Sequence, residues 1–296
     1  MSVYIRRAYS IGRSLNLVTE EMYEDAMTSA KEADLRLSTD PNSCGPLHGV
    51  PICVKDQFNI RGKASSCGCA WVCDLPMETD ADLVRALQRA GGIVFVKSNM
   101  PQLFWIETDN FIYGKGMNPW DPARTPGGSS GGDGGLVASR CAALGIGTDI
   151  GGSIRVPSHF NGLYGYKPTP ERMPHRGMIL PSKHLMEWNR AAMPVIPGPL
   201  AKCVDDCVVF LDAIAQPGTW TDDPYINPLP FNRDVYEATV NSRALKIGYY
   251  YDDGIAGYSE CTKNLILDVK ARLEARGHTV VPIELPNLKD VGKTFL

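Results

Sequence analysis

From Pro126 to Thr169 the chain reads PGGSSGGDGGLVASRCAALGIGTDIGGSIRVPSHFNGLYGYKPT, glycine pairs interleaved with apolar runs. Leu136 and Val137, then Leu144 and Ile146, need burial, so the glycines between them sit in packed structure. Glycine loses more backbone entropy on ordering than any other residue, and its use there needs a backbone that turns sharply or comes very close to another group. A flexible linker does not carry such apolar runs or continue into Ile154-Arg155-Val156-Pro157. A phosphate-binding loop needs a Lys followed by Ser or Thr after the glycines, and none is present. A G-x-S-x-G elbow does not occur at Ser153, whose neighbours are Gly152 and Ile154. The remaining reading is an oxyanion hole, with the N–H groups of Ile150, Gly151, Gly152 and Ser153 converging beside the Ser153 hydroxyl.

The flanking sequence gives the frame. Val50–Val54 is an apolar run ending at Lys55 and reads as a strand. Thr79 and Asp82 open a helix carrying Leu83, Val84, Leu87 and Ala90 at helical spacing, closed by Gly91 and followed by the apolar strand Ile93–Val96. Helix followed by a wholly apolar strand marks an α/β unit with a buried, largely parallel sheet. The same grammar returns at Lys246–Tyr251, at the helix of Leu265, Val269 and Leu273 closed by Gly277, and at Thr279–Ile283. Residues 15–37 read as a surface helix, and Pro168–Pro230 is rich in proline. The expected architecture is one α/β domain over 1–296.

Composition excludes more than it selects. Lys plus Arg number 30 and Asp plus Glu 33, a net charge of −3, which makes no electrostatic case for nucleic acid as a partner. No apolar run reaches the roughly 20 residues of a membrane-spanning helix, and Met1–Arg13 lacks a signal-peptide core. Nine cysteines are scattered. Cys67, Cys69 and Cys73 cluster, but no His lies near them, so free thiols and no metal are expected.

A serine nucleophile needs a base. None of the five histidines, His48, His159, His175, His184 and His278, comes with a recognisable acid partner. A lysine with a lowered pKa is the other candidate, and Lys55, at the end of an apolar strand, fits best. Its competing role is a salt bridge to Asp56 or another acid.

The stretches GGSSGGDGG and GTDIGGSIRVPSHFNGLYGYKPT, with GPLHGVPICVKDQFNIRG upstream, resemble the signature of the amidase-signature hydrolases. The resemblance implies that family's fold, a central, mixed, mostly parallel twisted sheet with helices on both faces, incomplete here at the C-terminus. It implies Ser153 as the acyl-accepting nucleophile, Ser129 as a bridging serine on a cis Gly128–Ser129 bond, and neutral Lys55 as general base. Ser130 is expected to support Lys55 or Ser129 by hydrogen bonding, and Asp149 and Arg155 to pin the loop. NPLPFNRDVYEATV, LKIGYYYDDG and LEARGHTVVPIELP look like the fatty-acid amide hydrolase and acetamidase branch. The implied substrate is then a fatty-acid amide such as an N-acylethanolamine, with a short-chain amide or ester next. Leu103 and Phe104, with Trp105 and Ile106, fall where that branch lines its acyl channel, or else are plain core. No cofactor is implied. The partner is a small-molecule amide; peripheral membrane contact and a homodimer stay open, as does membrane association of a cytoplasmic chain. That branch continues beyond the point matching Leu296, so an active amidase and an inactive, shortened paralogue both remain open.

Overall fold

The computed structural model describes residues 1–179, 194–242, 244–255 and 257–285. His184 lies outside the described residues. By internal packing the chain divides into two compact units, Met1–Phe231 and Asn232–Leu296.

The first unit is built on a six-stranded mixed sheet. In chain order its elements are α1 (Ser2–Arg7), β1 (Val18–Glu21), α2 (Tyr23–Thr39), β2 (Pro51–Lys55), α3 (Asp82–Arg89), β3 (Ile93–Ser98), α4 (Gly131–Ala138), β4 (Leu144–Asp149), α5 (Arg155–Asn161), β5 (Tyr164–Gly165), β6 (Ile196–Ala201), α6 (Val204–Ile214) and α7 (Pro217–Asp222). The strand order is β1-β3-β2-β4-β6-β5. The centre is parallel, β2 pairing with β3 and β4, and the outer strands β1, β6 and β5 pair antiparallel.

Every residue of β2 is buried, which is why the strand reads as a continuous apolar run rather than an alternation. Successive side chains nonetheless serve opposite faces. Ile52 and Val54 join Leu83, Val84 and Leu87 of α3 and Phe210, Ala213 and Ile214 of α6 in one apolar cluster. Cys53 joins Phe95 of β3 and Leu136 and Val137 of α4 in the other. Lys55, two residues beyond Cys53, therefore falls on the α4 face of the sheet.

The reading of 15–37 as one helix is corrected. Val18–Glu21 forms an antiparallel edge strand, with Val18 opposite Ser98, and the helix occupies Tyr23–Thr39. β-branched Val18 and Thr19 fit a pleated edge, and the open side of β3 offers them a partner. The start of α3 also differs. Thr79 does not cap it; Asp82 lies in its first turn, buried, and takes Arg85 at 2.6 Å and Arg176 at 3.1 Å.

The second unit contains α8 (Arg233–Val240), β7 (Lys246–Tyr249), α9 (Glu260–Ala275) and β8 (Thr279–Pro282). Asn232 caps α8 by accepting from the Val235 N–H at 3.0 Å, and Ser259 caps α9 through the Thr262 N–H at 3.1 Å. Strands β7 and β8 pair in parallel across the α9 crossover. The expected strand Lys246–Tyr251 stops at Tyr249. Among the described residues no helix is long and apolar enough to cross a membrane.

Candidate active site

Lys55 ends the central strand with no exposed surface. Its Nζ donates to Ser129 Oγ at 2.7 Å and to Thr148 Oγ1 at 3.0 Å. Among the described residues it has no carboxylate within ion-pair distance, so the salt-bridge alternative is not what the fold contains. Asp56 is committed elsewhere. Its carboxylate takes Lys97 at 3.5 Å, the hydroxyls of Thr19 and Ser66, and the Cys67 N–H at 2.7 Å. The two buried lysines thus differ: Lys97 is an ion-paired structural group, and Lys55 faces hydroxyls. Burial pushes the Lys55 pKa down, against the opposing pull of Asp133, Cys67 and Asp149.

The hydroxyls around Lys55 fix where its protons point. Thr148 Oγ1 donates to Gln57 Oε1 at 2.6 Å, and Gln57 holds that orientation by donating its Nε2 to the Ile179 carbonyl at 3.3 Å. An amide oxygen can only accept, so the one Thr148 proton is spent there and its oxygen must accept from Lys55. A neutral Lys55 amine bonded in this way keeps its lone pair for the Ser129 hydroxyl. Thr148 and Gln57 were missed by sequence reading. Gln57 lies two positions beyond Lys55, and Thr148 sits inside the GTDIGG motif next to the loop already singled out.

Ser129 is buried and follows a cis peptide bond at Gly128. Ser130, expected to support Lys55 or Ser129, does neither with its side chain. Its Oγ accepts from the Thr148 N–H at 3.2 Å, and its own N–H donates to the Ser153 carbonyl at 3.1 Å. That second bond ties the start of α4 to the Ser153 loop. Ser153 itself is half-buried.

The loop after β4 is organised by Asp149. Its carboxylate accepts from the N–H groups of Gly152 at 2.8 Å and Ile154 at 3.0 Å and from Arg155 Nη2 at 2.8 Å and Nε at 3.0 Å. Burial works against the charged form, but these donors outweigh it and hold the Asp149 pKa below its ordinary value. The expected set of four oxyanion donors is corrected here. The Gly152 N–H is committed to Asp149, leaving those of Ile150, Gly151 and Ser153 without a partner among the described residues. Gly152 has φ +134°, a conformation that only glycine adopts without strain.

Of the apolar residues 103–106, Phe104 is half-buried and its ring centre lies 5.9 Å from Lys55 Nζ. Leu103, Trp105 and Ile106 are exposed. The Ile106 carbonyl crosses so close to Gly128 that a Cβ there would fall on it. This segment therefore borders the Lys55–Ser129 pair and is not core. No histidine is hydrogen-bonded to Ser129 or Ser153 among the described residues: His48 pairs with the Ala33 carbonyl, His175 lies beside Asp223, and His278 accepts from the Leu245 N–H. All nine cysteines are free, and no group of His, Cys, Asp and Glu among the described residues is arranged to hold a metal.

A family model described as Amidase matches residues 1–296. "Amidase 1" of Gibberella moniliformis is 36% identical over 280 residues, covering 94% of this chain and 53% of that protein. "Fatty-acid amide hydrolase 1" of Sus scrofa is 35% identical over 286 residues, covering 96% of this chain and 46% of that protein. The chain thus spans about half the length of these relatives. A solved structure of a fatty acid amide hydrolase superposes with a TM-score of 0.87 at 25% identity, covering 97% of this chain and 50% of that one.

Proposed function

Because the chain belongs to the amidase family, we propose that it cleaves a carboxylic amide through an acyl-enzyme on Ser153, with Ser129 and Lys55 as proton relay. The observation that carries this reading is the buried Lys55, with no carboxylate within ion-pair distance among the described residues, whose Nζ lies 2.7 Å from Ser129 Oγ. Neutral Lys55 takes the Ser129 proton while Ser129 takes that of Ser153, and Ser153 Oγ bonds to the amide carbonyl carbon. The oxyanion rests on the free N–H groups of Ile150, Gly151 and Ser153. The relay returns a proton to the leaving nitrogen as the C–N bond breaks, and water then hydrolyses the acyl ester to release the acid. Asp149 and Arg155 act by holding the loop that carries those donors.

A fatty-acid amide is the favoured substrate, with a short-chain amide next. The apolar segment Leu103–Ile106 bordering Lys55 supports the former, since an acyl chain leaving Ser153 needs an apolar surface beside the relay. Peripheral contact of the exposed Trp105 and Ile106 with a membrane would deliver such a chain.

The test is covalent labelling with a fluorophosphonate, the adduct located by peptide mass spectrometry, with Ser153→Ala and Lys55→Ala as controls. The expected result is an adduct on Ser153, lost in Ser153→Ala and at least ~100-fold slower in Lys55→Ala. Protection by a long-chain N-acylethanolamine at concentrations where acetamide does not protect supports the fatty-acid reading. A folded chain that takes no label overturns the proposal.

A further inference from the structure

Asp133 is the one charged side chain in the run GGSSGGDGG, and no part of it reaches solvent. It lies in the first turn of α4, four residues after Ser129. Neither carboxylate oxygen has a hydrogen-bond partner among the described residues. Of the polar groups beside it, the Ser98 hydroxyl favours the charged form, but less than burial opposes it. The Cys53 thiol is turned to the Leu144 carbonyl at 3.7 Å, and the Ser98 hydroxyl is itself unpartnered. An ionised carboxylate so placed is costly, and a buried unpaired acid calls for an explanation. Tight packing closes off rearrangement: a Cβ on Gly145 would stand 3.2 Å from the Asp133 Cβ and 3.4 Å from Cys53 Sγ.

The face of the sheet supplies the explanation. Cys53 packs against α4, and Lys55 follows on the same side of β2, so Asp133 of α4 and Lys55 lie on the same face of the sheet, both wholly buried. We infer that Asp133 is a positioning residue for the relay: its proton sets whether Lys55 is neutral, and hence whether Ser129 meets a base. This rests on the reading of Lys55 as the base.

The other ionisable groups facing Lys55 are Asp149 at the end of β4 and Cys67 after β2; those facing Asp133 are Lys55 and Cys53 on β2. After burial, Asp133 acts on Lys55 more strongly than either of the others, and when charged it favours the ammonium. Burial in turn pushes the Asp133 carboxyl up, with the opposing influence of Ser98 and Lys55 smaller. The sign follows. A protonated Asp133 exerts no pull, leaving burial to favour neutral Lys55; an ionised Asp133 favours the ammonium and works against the relay. Asn at 133 keeps the shape and removes the charge at every pH, so the Lys55 midpoint must fall.

The experiment follows Lys55 directly, by the 13Cε shift of labelled lysine in the 296-residue chain, assigned with Lys55→Met. The expected result is a Lys55 midpoint lower by about one pH unit or more in Asp133→Asn, and near the parent value in Asp133→Glu. The acid limb of fluorophosphonate labelling of Ser153 should move with it. The coupling is reciprocal, so in Lys55→Met the Asp133 midpoint, read from its carboxyl 13C shift, should rise. That second measurement stands even where Asp133→Asn does not fold. Unchanged midpoints in either direction overturn the inference. Shifted midpoints in a chain that labels nowhere leave the coupling intact and overturn the hydrolase reading instead.

Discussion

Around Lys55 the direction of each proton is dictated two bonds away. Gln57 accepts from Thr148 and Thr148 accepts from Lys55, so a neutral Lys55 would have its lone pair left for Ser129. Thr148→Val removes the acceptor while keeping the volume, frees the amine to rotate, and leaves the Gln57 oxygen unmet in the core. Labelling of Ser153 is expected to slow by about 10- to 100-fold, a good part of what a positioned base contributes. Thr148→Ser, which keeps the hydroxyl, should recover most of the rate; equal losses in both would assign the effect to packing instead. Lys55 and Ser153 stood out from the residues themselves, a lysine closing an apolar strand and a serine after a glycine pair, whereas Ser129 entered only through the resemblance of GGSSGGDGG to the amidase signature. Thr148 and Gln57 were not legible, since the bonds that join them to the site link residues about ninety positions apart. Asp133 carried a signal that went unread: a charge set between glycines, in a segment whose neighbours had to be buried.

The glycines act at the scale of whole elements. Alanine usually stabilises a helix relative to glycine by up to about 1 kcal/mol, yet α4 opens on four glycines in five positions. A Cβ on Gly132 would fall on the backbone N and O of Asn99, and its N–H donates to the Asn99 carbonyl at 3.0 Å. The helix start therefore lies directly on the chain leaving β3, which is what brings Ser129 down to Lys55. Gly132→Ala is expected to reverse the propensity rule and destabilise by more than about 2 kcal/mol, because a backbone contact cannot yield as a flexible side chain can. Chemical denaturation checks the sign, and a gain in stability would show that α4 can lift off β3. The existence of β2, β3, α3 and α9 was legible from periodicity. β1 was not, because four acidic and β-branched residues continuing into a helix show no period of their own. The open edge of β3, a tertiary feature, made them a strand.

At the scale of the molecule, burial is distributed very unevenly. All the residues assigned to the site, from Lys55 through Arg155, belong to the first unit, and so do both apolar clusters. In the second unit Val280 is the one buried apolar side chain among the described residues, while Leu265 and Val269 of α9 are exposed. At about 25 cal/mol per Å² of apolar surface removed from water, a unit with so little buried surface gains little against its chain entropy, and low-stability elements open first. Its two caps and one parallel strand pair hold local structure without a core beneath it. Limited proteolysis should therefore clip the second unit well before the first, with cleavages clustering beyond Phe231. When opening is fast relative to cleavage, such clipping reports the population of the open form rather than the rate of opening. The large fragment left behind should still take a fluorophosphonate on Ser153 at a rate within about threefold of the intact chain, a difference well inside what loss of a positioned base would produce. Cleavage that begins within 1–231, or a fragment that no longer labels, would overturn this expectation.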